Sequence, residues 1–180
     1  LEIKCVSPTP IPPPTPTPTP TPTLEPLSKE VVEAYVATGR SLSGADMQGL
    51  NLSGANLPGG NFFDADLSEA DLSHARFLSA NMQSSNLSKA NLLLADLRNA
   101  NLTGANLSGA DLTGADLQGA TIINTKMNST SLSEAIFGVT IIANCDLTPI
   151  ETADVFGRLG EVLAEIIEIE QPALERLRDD

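Results

Sequence analysis

Large apolar residues recur at every fifth position along most of this chain, and a small residue stands two positions before each of them. The register begins at Leu42 and holds to Leu147 without insertion or deletion, giving 22 five-residue units. The stretch ANLTGANLSGADLTGADLQGA, from Ala100 to Ala120, shows the pattern most clearly. A period of five fits neither the 3.6-residue repeat of a helix nor the two-residue repeat of a strand. It predicts a backbone that turns one corner in each unit.

Four such units would close a square coil of 20 residues. The large and small residues would point inward, while Asn, Asp, Gly and Ser would lie at the corners and on the outside. One unit cannot bury its apolar face alone, so successive coils must stack into a solenoid with parallel ladders. Leu72 and Leu92 should then lie one ladder spacing apart, about 4.8 Å. Among outward residues, Arg76 should lie beside Asp96.

The A(D/N)LxG units resemble the pentapeptide repeat family, and the resemblance extends from Leu42 to Leu147. It implies an all-β solenoid, specifically a right-handed quadrilateral parallel β-helix; the handedness comes from the resemblance alone. Uninterrupted arrays of this kind resemble those abundant in cyanobacteria, where they occur alone or attached to other domains. Arg40 and Leu50 depart from the pattern, being too large for the small inward position, and predict an irregular first coil. From Ile122 onward, Thr replaces Ala at that position.

Four segments are predicted from composition. Residues 1–26 contain a Pro-Thr tract, which predicts an extended linker and tail. Residues 27–40 are predicted as an N-terminal capping helix, with Ser28 as N-cap and Gly39 as the stop. Residues 41–149 form the repeat β-helix, and residues 150–180 a C-terminal helical cap and tail. Because a linker implies something to be held, we expect an upstream domain in the full-length protein.

Two sets of apolar residues are predicted to face outward. In the last coils, Ile123, Ile136, Val139 and Ile141 should receive the apolar stripe of the C-terminal helix, which includes Phe156, Leu159, Leu163 and Ile166. Homodimerisation through the same helix, or through an end cap, stays open as an alternative. A second set is a candidate surface for a protein partner, although scattered exposed apolar residues are common in proteins. Its members are Phe63, Leu78, Leu93 and Leu94.

Charge and composition narrow the chemistry. The chain has 23 acidic and 10 basic residues, a net charge of −13, which disfavours direct binding of nucleic acid. No run of about 18 apolar residues predicts a membrane span. His74 falls at an outward corner, Cys145 fills a small inward position and Cys5 lies in the tail. No catalytic, cofactor-binding or metal-binding site is therefore predicted.

The leading hypothesis for function is a non-catalytic structural or protein–protein interaction module, tethered by the Pro-Thr linker. The resemblance also implies an alternative, a DNA-mimicking inhibitor of DNA gyrase. The repeat-borne acids are spread over three faces rather than focused on one, which argues against this alternative. The partner is not identified by the sequence. The compartment is also open: the cytoplasm, or the periplasm or thylakoid lumen if an upstream signal was removed.

Overall fold

The computed structural model describes residues 27–145, and within them the backbone returns above itself every 20 residues. Parallel bridges connect each outward Asn or Asp position to the residue 20 later, from Asp46–Asp66 through to Asp116–Ile136. In the last two coils the bridges extend into short strands, β1 (Thr121–Ile123) and β2 (Ile141–Ala143), which pair in parallel. The predicted 20-residue coil is confirmed.

Each coil has four sides, and each side is centred on one inward apolar residue, which is buried at every centre except the partly buried Ile142. We number the sides by these centres. Side 1 carries Leu42, Phe62, Met82, Leu102, Ile122 and Ile142; side 2 carries Met47, Leu67, Leu87, Leu107 and Met127; side 3 carries Leu52, Leu72, Leu92, Leu112 and Leu132; side 4 carries Leu57, Phe77, Leu97, Leu117 and Phe137.

The ladder around Leu72 and Leu92 shows how the coils are joined. The Leu72 N–H donates to the Asn91 carbonyl at 2.7 Å, and the Asn91 N–H donates back to the Ala70 carbonyl at 3.0 Å. The side chains of Leu72 and Leu92, the two centres joined in this way, are fully buried. The core is therefore one continuous stack of inward side chains, since each coil buries the apolar residues of its neighbours.

A β-turn closed by a backbone hydrogen bond forms the corners from Leu42–Ala45 to Leu117–Ala120, and again at Met127–Thr130 and Leu132–Ala135. At a representative corner, the Ala70 N–H donates to the Leu67 carbonyl, and Glu69 at the third turn position has a φ of +60°. A turn with positive φ at its third position favours Gly, and the equivalent Gly109 has a φ of +69°. Asn, Ser, Lys and even Leu94 adopt the same conformation here. The stacked coils impose this conformation on several residue types other than Gly.

Helix α1 (Lys29–Ala37) precedes the solenoid, and its ends follow standard capping chemistry. The Ser28 hydroxyl accepts the Val31 N–H, which confirms Ser28 as the N-cap. Gly39 has a φ of +70°, and the Arg40 N–H reaches back to the Tyr35 carbonyl at 2.8 Å, the Schellman arrangement.

Helix α1 lies against the first coil. Val32 is completely buried there, and the Lys29 ammonium donates to the Ser53 carbonyl at 2.6 Å. The Glu33 carboxylate accepts the Asn56 N–H at 2.8 Å. In later coils the equivalent carbonyls and N–H groups bond to the preceding coil. The side chains of the helix thus provide the hydrogen-bond partners that the backbone of a preceding coil would otherwise provide.

The first coil is more regular than predicted. The Leu42 N–H already bonds to the Asn61 carbonyl, and parallel bridges run from Asp46 onward. The irregularity is confined to the position of Arg40, whose guanidinium lies outside the stack, 4.7 Å from the Tyr35 ring centroid. Leu50 is accommodated half-buried at the open end, because no coil precedes it.

Candidate interaction surfaces

The inward positions are filled by side chains, including the polar ones near the C-terminal end. Where Thr replaces Ala, the hydroxyl bonds to the backbone of the coil before: Thr125 to the Leu102 carbonyl and Thr130 to the Leu107 carbonyl, both at 2.8 Å. A buried hydroxyl without such a partner would be destabilising. Because apolar and hydroxyl side chains occupy the lumen, any ligand of the described coils has to bind on the outside.

Most outward Asn and Asp side chains stabilise the coil itself. The Asp66 carboxylate accepts the Ser68 hydroxyl and backbone N–H, as well as the Asn86 side-chain amide of the next coil at 3.1 Å. The Ser68 hydroxyl and backbone N–H are the main reasons why the pKa of Asp66 lies below its usual value. Asn81 likewise donates its amide to the Asn61 side chain 20 residues earlier. The acidic positions are thus part of the structural ladder.

Charged side chains pair along the predicted columns. Lys89 and Glu69 meet at 3.3 Å, as their 20-residue separation predicts. Arg76 is bridged to Asp96 in the backbone ladder, also as predicted. The strongest contact to Asp96 nevertheless comes from Arg98, which donates two 2.8 Å hydrogen bonds to the carboxylate and lowers its pKa. The sequence interpretation missed Arg98, although its position two residues after an Asp is the signal for such a pair.

Side 1 differs from the other three sides in carrying no charged residue at its centres or at the flanking positions. The residues concerned are 41–43, 61–63, 81–83, 101–103, 121–123 and 141–143. Sides 2, 3 and 4 each carry aspartates at the equivalent positions, for example Asp66, Asp71 and Asp96. In a protein with a net charge of −13, side 1 is therefore an uncharged strip of Asn, Ser, Thr, Gln and apolar side chains.

The predicted partner surface does not lie on one face. Phe63 is on side 1 with 41% of its surface exposed, whereas Leu93 is on side 3, across the solenoid. Leu94 occupies the corner next to Leu93 and is 53% exposed. Leu78 is half-buried on side 4. The set divides into Phe63 on the uncharged strip and a separate pair at Leu93 and Leu94.

The second predicted set lies on two adjacent sides of the last coils. Ile136 on side 4, Val139 at the following corner and Ile141 on side 1 are all exposed in the last described coil, and Ile123 lies half-buried one ladder step below Ala143. We call these four residues the terminal patch. The helical residues predicted to cover it, Phe156, Leu159, Leu163 and Ile166, lie outside the described residues.

Groups with catalytic or metal-binding chemistry are separated from one another. His74 is exposed at a corner with a φ of +58°, and Cys145 is a free, partly buried thiol whose sulfur lies 3.2 Å from the Ile122 carbonyl oxygen. Among residues 27–145, no three His, Cys, Asp or Glu side chains converge in a way that could hold a metal ion. Cys5 lies outside this range. None of the helices in the described part is long and apolar enough to span a membrane.

Comparison with known sequences identifies the repeat. The family model of pentapeptide repeats matches in eight copies, over residues 38–59, 61–99 and 95–133, which together make up more than half of the chain. No curated protein matches the sequence.

The similar solved structures include three pentapeptide repeat proteins. The pentapeptide repeat protein Rfr23 from the cyanobacterium Cyanothece 51142 is 32% identical, over 56% of this chain and 63% of that one, with a TM-score of 0.41. HetL, a pentapeptide repeat protein involved in heterocyst differentiation regulation in Nostoc sp. strain PCC 7120, is 27% identical over 62% and 60%, with a TM-score of 0.44. A pentapeptide repeat protein from the thylakoid lumen of Arabidopsis thaliana is 23% identical over 72% and 77%, with a TM-score of 0.47. This chain thus matches less than two thirds of the length of the two cyanobacterial proteins.

Proposed function

The chain belongs to the pentapeptide repeat family, and from that premise we propose that it is a non-catalytic module that binds another protein along side 1 of its solenoid. Proteins of this family are generally structural or interaction modules rather than enzymes. The family also supports a right-handed coil for this chain. Its Pro-Thr tract fits a role in holding the module at a distance from a neighbouring domain.

The observation that carries the proposal is the uncharged character of side 1. Desolvating charged side chains is costly, and interface centres are depleted of charge and enriched in aromatic residues. Side 1 meets both conditions, because it lacks charge and exposes Phe63. The ladder of Asn61 and Asn81 holds their amides in fixed positions beside that ring, so the strip is preorganised for contact.

A photo-crosslinking experiment tests the assignment of the surface. A benzophenone amino acid is placed at Phe63 on side 1 or, as the matched control, at Gln48 on side 2, and crosslinked species are compared in a lysate of the source organism. We expect discrete adducts from position 63 that disappear when Gln83→Glu introduces a charge on side 1. Ser88→Glu, at the equivalent half-buried position of side 2, should leave them unchanged. Equal crosslinking from both sides would overturn the proposal.

We further propose that α1 acts as an end cap. Its Lys29 and Glu33 bonds to the first coil support this role, because an uncovered ladder edge invites association with another chain. A cap of this kind leaves the sides of the solenoid as the surfaces available to partners.

Gyrase inhibition is the alternative to a side 1 module, and a DNA supercoiling assay separates the two. The described acids support the side 1 proposal, because they are distributed over several sides and the carboxylates of Asp66 and Asp96 are engaged by their own coil. We expect no inhibition at micromolar protein. Inhibition at that concentration would favour the DNA-mimic function instead.

A further inference from the structure

The last described coil breaks a pattern that the earlier coils keep. On side 4, Ile136 continues a column that is polar in every preceding coil: Asn56, Arg76, Asp96 and Asp116. On side 1, Ile141 continues the column of Asn61, Asn81, Asn101 and Thr121. Both isoleucines are largely exposed, at 41% and 56%. The change from polar to apolar thus occurs on two sides within one coil.

The corner between these two isoleucines changes as well. The corresponding corners of earlier coils are left-handed at Gly59, Ser79, Asn99 and Gly119, whereas Val139 does not adopt a positive φ. The left-handed φ moves instead to Gly138, at +48°, because a β-branched residue is strongly disfavoured in that region. The shifted corner leaves Val139 with 88% of its surface exposed. Three outward apolar side chains therefore lie on side 4, on side 1 and at the corner between these two sides.

We propose that the terminal patch is the docking site for residues 155–169 of the same chain. The sequence predicts a helix there, whose apolar residues recur at helical spacing: Val155, Phe156, Leu159, Val162, Leu163, Ile166 and Ile169. Nine residues lie between Cys145 and Val155, so ten Cα–Cα steps connect the two. An extended segment of that length reaches about 33 Å, which is enough to return along the side of the last coils.

Charge favours the part of this site that lies on side 1, whereas Ile136 on side 4 is paired in the ladder with Asp116. Residues 150–180 contain nine acidic and three basic residues, so the segment is repelled by aspartate-bearing surfaces. Side 1, on which Ile123 and Ile141 lie, has no charge at the positions facing outward. The segment can therefore bury its apolar stripe there while its glutamates remain in solvent. This docking is independent of the partner proposed for side 1, since Phe63 lies three coils away from Ile123.

The absence of tryptophan from the chain provides a direct test. Phe156→Trp in the full chain places a single fluorophore in the proposed contact. We expect blue-shifted emission, protected from acrylamide, that is independent of protein concentration. Adding Val139→Asp and Ile141→Asp should shift the emission to the red and restore quenching. Leu94→Asp, the same kind of change at an exposed apolar residue far from the patch, should do neither.

Two further measurements, circular dichroism and light scattering, complete the test of the docking site. Far-UV circular dichroism must show that the Asp variants retain the solenoid, which we expect because both side chains are mostly exposed. Light scattering distinguishes the occupant of the patch. A blue shift that appears only as a dimer forms would assign the patch to a second copy and overturn the proposal. Emission that is already red-shifted in the Phe156→Trp chain, or unchanged by the patch substitutions, would also overturn it.

Discussion

Gly60 is the inward position where this chain departs most informatively from its own repeat. Elsewhere on side 1 the small inward residue is Ala in three successive coils, at 80, 100 and 120. A Cβ added to Gly60 would overlap Cε2 of Phe62 and lie 3.0 Å from Cγ2 of Val36. The φ of Gly60 is not left-handed, so the conflict is one of volume and not of backbone conformation. Gly60 and Phe62 therefore form a compensating small–large pair.

We predict that Gly60→Ala destabilises the protein by about 1–3 kcal/mol, the range for overpacking a filled core. The Phe62 ring is fully buried and packs edge-on against Phe77, with centroids 5.5 Å apart, so moving the ring away from an added methyl group would disturb this packing. Phe62→Leu alone should also destabilise, because it leaves a cavity. The double variant restores the Ala–x–Leu pattern of the other coils. Its cost should fall below the sum of the single costs by about 1 kcal/mol or more.

Urea unfolding followed by far-UV circular dichroism measures all four members of this cycle. Gly59→Ala is the matched control: it adds the same atom next door, where nothing lies within 4 Å, at a residue with a φ of +66°. It should lose only the left-handed preference, about 1 kcal/mol, and should not couple to Phe62→Leu. Additivity of Gly60→Ala and Phe62→Leu within about 0.5 kcal/mol would refute the packing argument.

Three further predictions test the ladder, the first coil and the core. The pKa of Asp66 is lowered in the folded chain, so the ionised carboxylate stabilises the fold fully above the ordinary pKa of 3.8, and this stabilisation is lost as the pH falls below that value. Asp66→Asn should flatten this part of the pH profile of the free energy of unfolding. An unaltered profile would contradict the role given to the Asp66 carboxylate. Glu33→Ala removes the carboxylate that accepts the Asn56 N–H. Because this bond is exposed and water can replace the carboxylate, the loss of stability in urea unfolding should be about 0.5–1.5 kcal/mol. Light scattering should show increased self-association, and an unchanged protein would argue against a cap. Leu92→Ala should lower the free energy of unfolding by about 2–5 kcal/mol, whereas Leu93→Ala, at the neighbouring half-buried residue, should lower it clearly less. Similar losses of stability in thermal unfolding would mean that Leu92 is not the inward residue of the pair.

The core could be predicted from the sequence because its cause is local and repeated. Each five-residue unit contains an apolar centre such as Leu92, a small partner such as Ala90, and a corner, so the period alone fixes which side chains point inward. Because four units of five residues make one coil, residues 20 apart are neighbours in adjacent coils, and the contact between Lys89 and Glu69 could therefore be predicted.

Other features depended on contacts that no local pattern reveals. The sequence suggested an irregular first coil, but α1 supplies the missing partners through Lys29 and Glu33, and the coil is regular from Asp46 onward. The proposed partner residues looked like one set in the sequence, yet the coil places Phe63 and Leu93 on opposite sides. The uncharged strip became visible only when residues 20 apart were brought onto one side.

The sequence by itself determined the solenoid, its coil length and its buried centres, because a strict period forces every unit into the same local geometry. The tertiary structure decided the parts where the period stops: which groups complete the first coil, where the corner moves at Gly138, and how outward residues combine into surfaces. The physical reason is that an inward side chain has the same neighbours in every coil, whereas ends and outer surfaces depend on contacts formed by distant or non-repeating residues.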